Sequence, residues 1–261
     1  MTSSRPLESP TPVSPSQDRA TPIPSIDDSL GLKLLPFVLS MVAGSLDITG
    51  FLGLGGLFTA HITGNLVLLA ARLVAHQPSP MSHVIAVPVF MVVLVLTRLF
   101  VVGLERIAVP SLLPLLALQF LLLATALGSC IATGVRVDPN GLEITLAGMF
   151  AVSGMAVQNA LVRVSLADAP STAVMTTNVT VFAMDVGQIC FGGSRSDHAK
   201  ARIRAGRTWP AIAGFLIGCA LGAVCEPAFG LMALAVPTLL SLGAIGFGLS
   251  GPQARPKREK T

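Results

Sequence analysis

Ala43 to Leu69 reads AGSLDITGFLGLGGLFTAHITGNLVLL. The stretch is apolar enough to lie in a bilayer, yet it carries Asp47, His61 and Asn65 among glycines at 44, 50, 53, 55, 56 and 64. Hydrocarbon holds no water for a carboxylate, an imidazole or a carboxamide, so such groups face other protein or a wet cavity. Function is therefore sought here first.

The rest of the chain has the same character. It is 52% hydrophobic and 11% charged, with mean hydropathy +0.76. Soluble domains carry about 25% charged residues, so the chain reads as an integral membrane protein. Eight apolar segments follow, at about 32–57, 58–75, 84–104, 112–132, 142–162, 172–191, 209–229 and 230–250. About 20 apolar residues cross a bilayer as a helix, which makes the fold class all-α, a polytopic helix bundle. Residues 1–30, rich in Pro, Ser and Thr, read as a disordered tail; 31–250 read as the transmembrane domain, and 251–261 as a basic tail.

In segment one, Ser40, Gly44, Asp47, Gly50 and Gly53 recur at three- and four-residue steps, one helical face that places Asp47 near mid-membrane. Segment two is shorter and weakened by Gly55-Gly56 and Gly64; it either spans or forms a re-entrant element. Segment three has few small residues, which suits lipid contact. Ala124, Gly128 and Ala132 suggest a packing seam on segment four; Ala147, Ala151, Gly154 and Gln158 do so on segment five, and Gly214, Gly218 and Gly222 on segment seven. With polar residues concentrated in segments one, two, five and six, those four are expected at the centre. Cys130, Cys190, Cys219 and Cys225 fall in apolar segments without metal spacing and are expected to be buried and reduced.

TAHITGN (Thr59 to Asn65) lines up with TAVMTTN (Thr172 to Asn178), matching Thr59 with Thr172, Ala60 with Ala173, Thr63 with Thr176 and Asn65 with Asn178. Gly44 and Asp47 find counterparts in Gly154 and Gln158. The flanking hydropathy repeats in the same order, so the chain reads as two tandem repeats, about 32–132 and 142–250.

The order G-x-x-D, then G-x-F-T-x-x-x-T-G-N, carried by Gly44, Asp47, Gly56, Phe58, Thr59, Thr63, Gly64 and Asn65, resembles the YoaK-like multi-pass membrane proteins, a domain of unknown function. That resemblance implies a polytopic membrane fold and brings no established activity.

Eight spans, or six spans with segments two and six re-entrant, both leave most Lys and Arg on the side of the two termini, so the positive-inside rule cannot choose between them. Repeats of four spans are parallel. Repeats of three spans plus a re-entrant element are inverted, as in several transporter folds; the shortness of segment two favours this reading. Both place the termini in the cytoplasm, and the membrane expected is a bacterial plasma membrane.

The functional expectation is a small-solute transporter whose partners are the lipid bilayer and a small polar solute or a proton. Asp47 would bind the proton or a cationic group. His61, Thr63, Asn65 and Asn178 would orient the solute beside the backbone at Gly64, with Gln158 as a secondary or structural residue. Asp185 occupies the position equivalent to Arg72, with opposite charge, and either pairs with it or lies separately at the interface. The alternative function is a non-transporting scaffold or sensor. Enzymatic chemistry is not expected, because H-E-x-x-H and G-x-S-x-G patterns are missing. No cofactor, metal or nucleic acid is called for.

Overall fold

The computed structural model describes residues 30–133, 141–166, 169–192 and 194–250. Apart from Leu30, where the first helix begins, the two tails read from the sequence lie outside these residues. Among the described residues, eight α-helices succeed one another: α1 (Leu30–Gly53), α2 (Gly64–Val74), α3 (Met81–Arg106), α4 (Leu112–Thr133), α5 (Leu142–Ser165), α6 (Met175–Phe191), α7 (Arg195–Phe229) and α8 (Ala235–Leu249), with a 3-10 turn at Gly230–Leu234 before α8. The described residues contain no strand. Among the described residues, five helical stretches are long and apolar enough to cross a membrane: α1, α3, α4, α5 and the run from α7 through α8. The protein is therefore a membrane-type helical protein. Helix α2, with 11 residues, is about 16 Å long, half the thickness of a hydrocarbon core.

The glycines explain where α1 stops. Gly55 and Gly56 have φ of 72° and 93°, a left-handed backbone that a side chain would resist, so the chain leaves the helix and folds back. Helix α7 begins on a capping box, in which the Ser194 hydroxyl accepts from the Asp197 N–H and the Asp197 carboxylate accepts from the Ser194 N–H at 3.2 Å. At 35 residues it is about 52 Å long, so its basic first turns extend past the apolar part of the bundle.

Helices α1 and α7 lie side by side in the same direction. A Cβ on Gly214 would strike the Phe37 carbonyl oxygen, one on Gly218 the Met41 carbonyl and one on Gly222 the Ser45 carbonyl, while Gly44 of α1 faces the Phe215 carbonyl. These small residues let the two backbones meet, as the stripe on segment seven suggested. Helices α3 and α5 also run alongside one another, through Ala86, Ile144 and Val152 at one end and Val101, Val157 and Leu161 at the other. Helix α5 pairs antiparallel with α4, where the Ser111 and Ser165 hydroxyls meet at 2.9 Å at one end and Gly154 meets Leu123 further along. Helix α8 returns antiparallel to α1: Gly53 lies against Leu231, and Gly31 against the Phe247 carbonyl.

Helices α1 and α5 form the core of the bundle, and α3 turns Met91, Val92, Val95, Leu96, Leu99 and Phe100 outward, as a lipid-facing helix should. The expected central placement of segments two and six is corrected. Helix α2 buries only Asn65, and α6 only Met175, Asn178 and Asp185; what reaches the centre is the non-helical chain leading into each, where Ala60 and Ala173 join one cluster with Val42, Ala43, Leu46, Ala151 and Met155. The seam expected on segment four is also corrected: Gly128 faces open space, and α4 packs instead through Leu115, Leu116, Leu123, Ala126 and Cys130. All four cysteines are free, but only Cys130 is buried and Cys190 is exposed.

Candidate functional site

Asp47 lies six residues before the end of α1, about halfway between that end and the middle of the helix. Its carboxylate closes the connection to α2. Oδ1 accepts from the Thr59 N–H at 2.8 Å, the Thr59 hydroxyl at 3.0 Å and the Ala60 N–H at 2.6 Å. Oδ2 accepts from the His61 N–H at 3.2 Å and meets His61 Nδ1 at 2.6 Å. A carboxylate offers about four lone-pair sites, and here five donors converge on it. No acceptor capacity is left for a cation. The group that remains reachable is His61, whose side chain is 36% exposed against 5% for Asp47 and whose ring stands edge-on to Phe215, with centroids 5.3 Å apart.

Asn65 sits at the start of α2 and reaches back seven residues. Its Oδ1 accepts from the Phe58 N–H at 2.9 Å, and its Nδ2 donates to the Phe58 carbonyl at 2.7 Å. Gly64 is small because the Phe58 ring lies where a Cβ would stand. Thr63 is exposed and precedes α2 without capping it. At the far end of α2, Arg72 Nη2 donates to the Gly55 carbonyl at 2.9 Å, and His83 Nε2 of α3 lies 3.2 Å from the Gly56 carbonyl. The chain after α1 thus dips two turns deep, to Asp47, and comes back to the level at which α1 ended.

The second half makes corresponding bonds with neutral groups. Asn178 Nδ2 donates to the Ser171 carbonyl, also seven residues back, at 2.6 Å. Gln158, the counterpart of Asp47, donates through Nε2 to the Thr172 hydroxyl and to the Leu39 carbonyl, both at 2.9 Å, while its Oε1 accepts from Gln119 Nε2 at 2.7 Å. The N–H of Val174, equivalent to His61, donates to the Ser171 hydroxyl at 2.9 Å.

The structure therefore gathers Asp47, His61, Thr63, Gly64 and Asn65 around one turn and Gln158 and Asn178 around another. Asp185 belongs to neither. It pairs with Arg204 of α7 at 2.5 Å, so the Asp185–Arg72 pair considered from the sequence does not form; the two residues lie on different short helices, each with its own partner. Sequence reasoning missed Gln119, His83 and Arg204. Gln119 and His83 had a readable signal, a lone polar side chain within an apolar run. Arg204 was hidden in a basic stretch that reads as a topology signal.

The profile of a family described as "Protein of unknown function (DUF1275)" matches residues 35–247. The chain belongs to this family. No curated protein and no solved structure matches it. The matched span of this DUF1275 protein runs from α1 into α8 and includes both turns, so the Asp47 and Gln158 clamps lie within the family's shared region.

Proposed function

We propose that this DUF1275 protein is a small-solute transporter of the plasma membrane, built from two inverted repeats of three spans and one re-entrant element, with both termini cytoplasmic. The observation that carries this reading is the pair of turns: Ala60 and Ala173 enter one central cluster between α1 and α5, each in the chain that leads into a short helix. Secondary transporters place solute at such repeat interfaces, where interrupted helices offer backbone groups and half-helix ends. The helix neighbours support the symmetry. The α1 with α7 and α5 with α3 pairs correspond, as do α1 with α8 and α5 with α4.

In this reading Asp47 holds the first turn in shape, and His61 and Thr63 are the side chains offered to solute. Asn65, Asn178 and Gln158 fix the backbone behind them. The protein does no covalent chemistry. The test is a thermal-stability screen of the detergent-purified protein against metabolites and ions, followed by uptake of each hit into proteoliposomes. A ligand at about 100 times its Kd stabilises the native state by about 2.7 kcal/mol, well within reach of such a screen. His61→Gln should weaken the response of a hit with the fold intact.

A second reading, a non-transporting scaffold, is favoured by the saturation of Asp47, Asn65 and Gln158 within the fold. It requires silence across the panel and no uptake.

A further inference from the structure

The charges near the two short helices do not cancel evenly. Asp47 is saturated by five donors, and Asp185 is neutralised by Arg204. Arg72 differs. It is half-buried, it folds back onto the Gly55 carbonyl, and among the described residues it has no carboxylate within ion-pair distance. Glu226, the acid at the same end of α1, lies against Gly53 and makes no ion pair with it. Only Nη2 of the guanidinium has a side-chain hydrogen bond, which leaves most of its five N–H donors open.

His83 adds a second group at the same place. Beside Cα of Gly56, in the position a Cβ would take, the nearest atoms are Arg72 Nη2 at 3.3 Å and His83 Nε2 at 3.6 Å. His83 is fully buried, and its Nδ1 has no hydrogen-bond partner; the hydroxyl of the adjacent Ser82, also buried, has none. With Nε2 donating to the Gly56 carbonyl, Nδ1 of the neutral ring is an acceptor. Buried polar atoms are nearly always paired, so a ligand that fits here brings an O–H for His83 as well as an acceptor for the guanidinium. A guanidinium recognises planar oxyanions through paired N–H donors.

We propose that Arg72, at the Gly55–Gly56 turn, binds the oxyanion group, carboxylate or phosphate, of the solute this protein carries, and that His83 Nδ1 accepts from a hydroxyl of the same solute. The proposal rests on the transporter reading and replaces the cation or proton expected at Asp47 by an anion. Asp47 cannot serve a cation, because its acceptors are full, whereas Arg72 keeps open donors for an anion.

The test uses the full chain in neutral detergent, with sodium chloride holding the ionic strength constant. Unfolding midpoints are measured with sodium acetate, sodium phosphate, choline chloride, glycerol and phosphatidylglycerol for the wild type, Arg72→Gln and Arg72→Lys. The expected result is a rise with acetate or phosphate that is lost in Arg72→Gln and retained in Arg72→Lys with about tenfold weaker apparent affinity, the scale of losing a bidentate charged contact. Should Arg72→Gln not fold, the tenfold weakening in Arg72→Lys carries the comparison. An anion response that ignores either substitution overturns the assignment. A response to choline or glycerol alone overturns it and leaves transport standing, whereas no response to any solute here or in the wider metabolite screen overturns both. Stabilisation by phosphatidylglycerol alone also overturns it, since the guanidinium would then hold a lipid headgroup.

Discussion

Replacing Asp47 by Asn changes one atom and removes one charge, and the geometry of the turn sets the cost. The Asn oxygen takes the place of Oδ1 and keeps the Thr59 N–H, the Thr59 hydroxyl and the Ala60 N–H. The amide NH2 then faces the two groups that met Oδ2, the His61 N–H and His61 Nδ1. The imidazole can change tautomer and accept; the backbone N–H cannot. One N–H left opposing a donor costs about 1–3 kcal/mol, and three retained bonds fall from charged to neutral strength. Removing a buried charge returns part of this through relieved desolvation, so the net loss is about 2 kcal/mol. Asp47→Ala is harsher, because the N–H groups of Thr59, Ala60 and His61 all lose their acceptor; at about 1–3 kcal/mol each, the loss is about 3 kcal/mol or more. Unfolding by sodium dodecyl sulfate in mixed micelles, followed by circular dichroism, should rank wild type above Asn and Asn above Ala. An Asn variant as stable as the wild type would refute the view that Asp47 acts as a charged clamp on the turn.

Two further outcomes are expected from the packing. Gly218→Ala should destabilise by about 1–3 kcal/mol in the same assay, because its Cβ lands on the Met41 carbonyl; Gly128→Ala, which meets open space, should be neutral or slightly stabilising. In a chain freed of its four cysteines, a membrane-impermeant maleimide applied from outside should label Gln77→Cys and spare Ile107→Cys, since both positions are exposed and only the re-entrant path puts the first outside. The opposite pattern would mean that α2 spans and that the repeats are parallel.

How far the sequence could be read differs from one residue to the next. The membrane class, the outward face of α3 and the glycine stripe on α7 were legible, because each depends on residue type and helical period alone. The alignment of TAHITGN with TAVMTTN led to Asn65 and Asn178, which make the same seven-residue reach back to Phe58 and Ser171. Gly128 and Ala132 carried the same small-residue signal as Gly214 and Gly218, yet they face outward. Spacing identifies a smooth face and does not say whether a helix lies against it. Asp47 was legible as important and illegible in role, since a carboxylate awaiting a cation and one filled by backbone donors have the same one-letter code.

Residue order alone settles what is local and additive along the chain: which segments are apolar enough for a bilayer, and that segment two is too short and glycine-broken to resemble its neighbours. The tertiary structure alone decided the partners. Gln158 bonds a carbonyl 119 residues away, Asp185 takes Arg204 rather than Arg72, and Arg72 is left with a positive charge and no acid beside it. The physical reason is that a polar side chain in an apolar bundle must find a complement within about 3 Å. Which complement it finds depends on how distant helices stack, a property that no single segment contains.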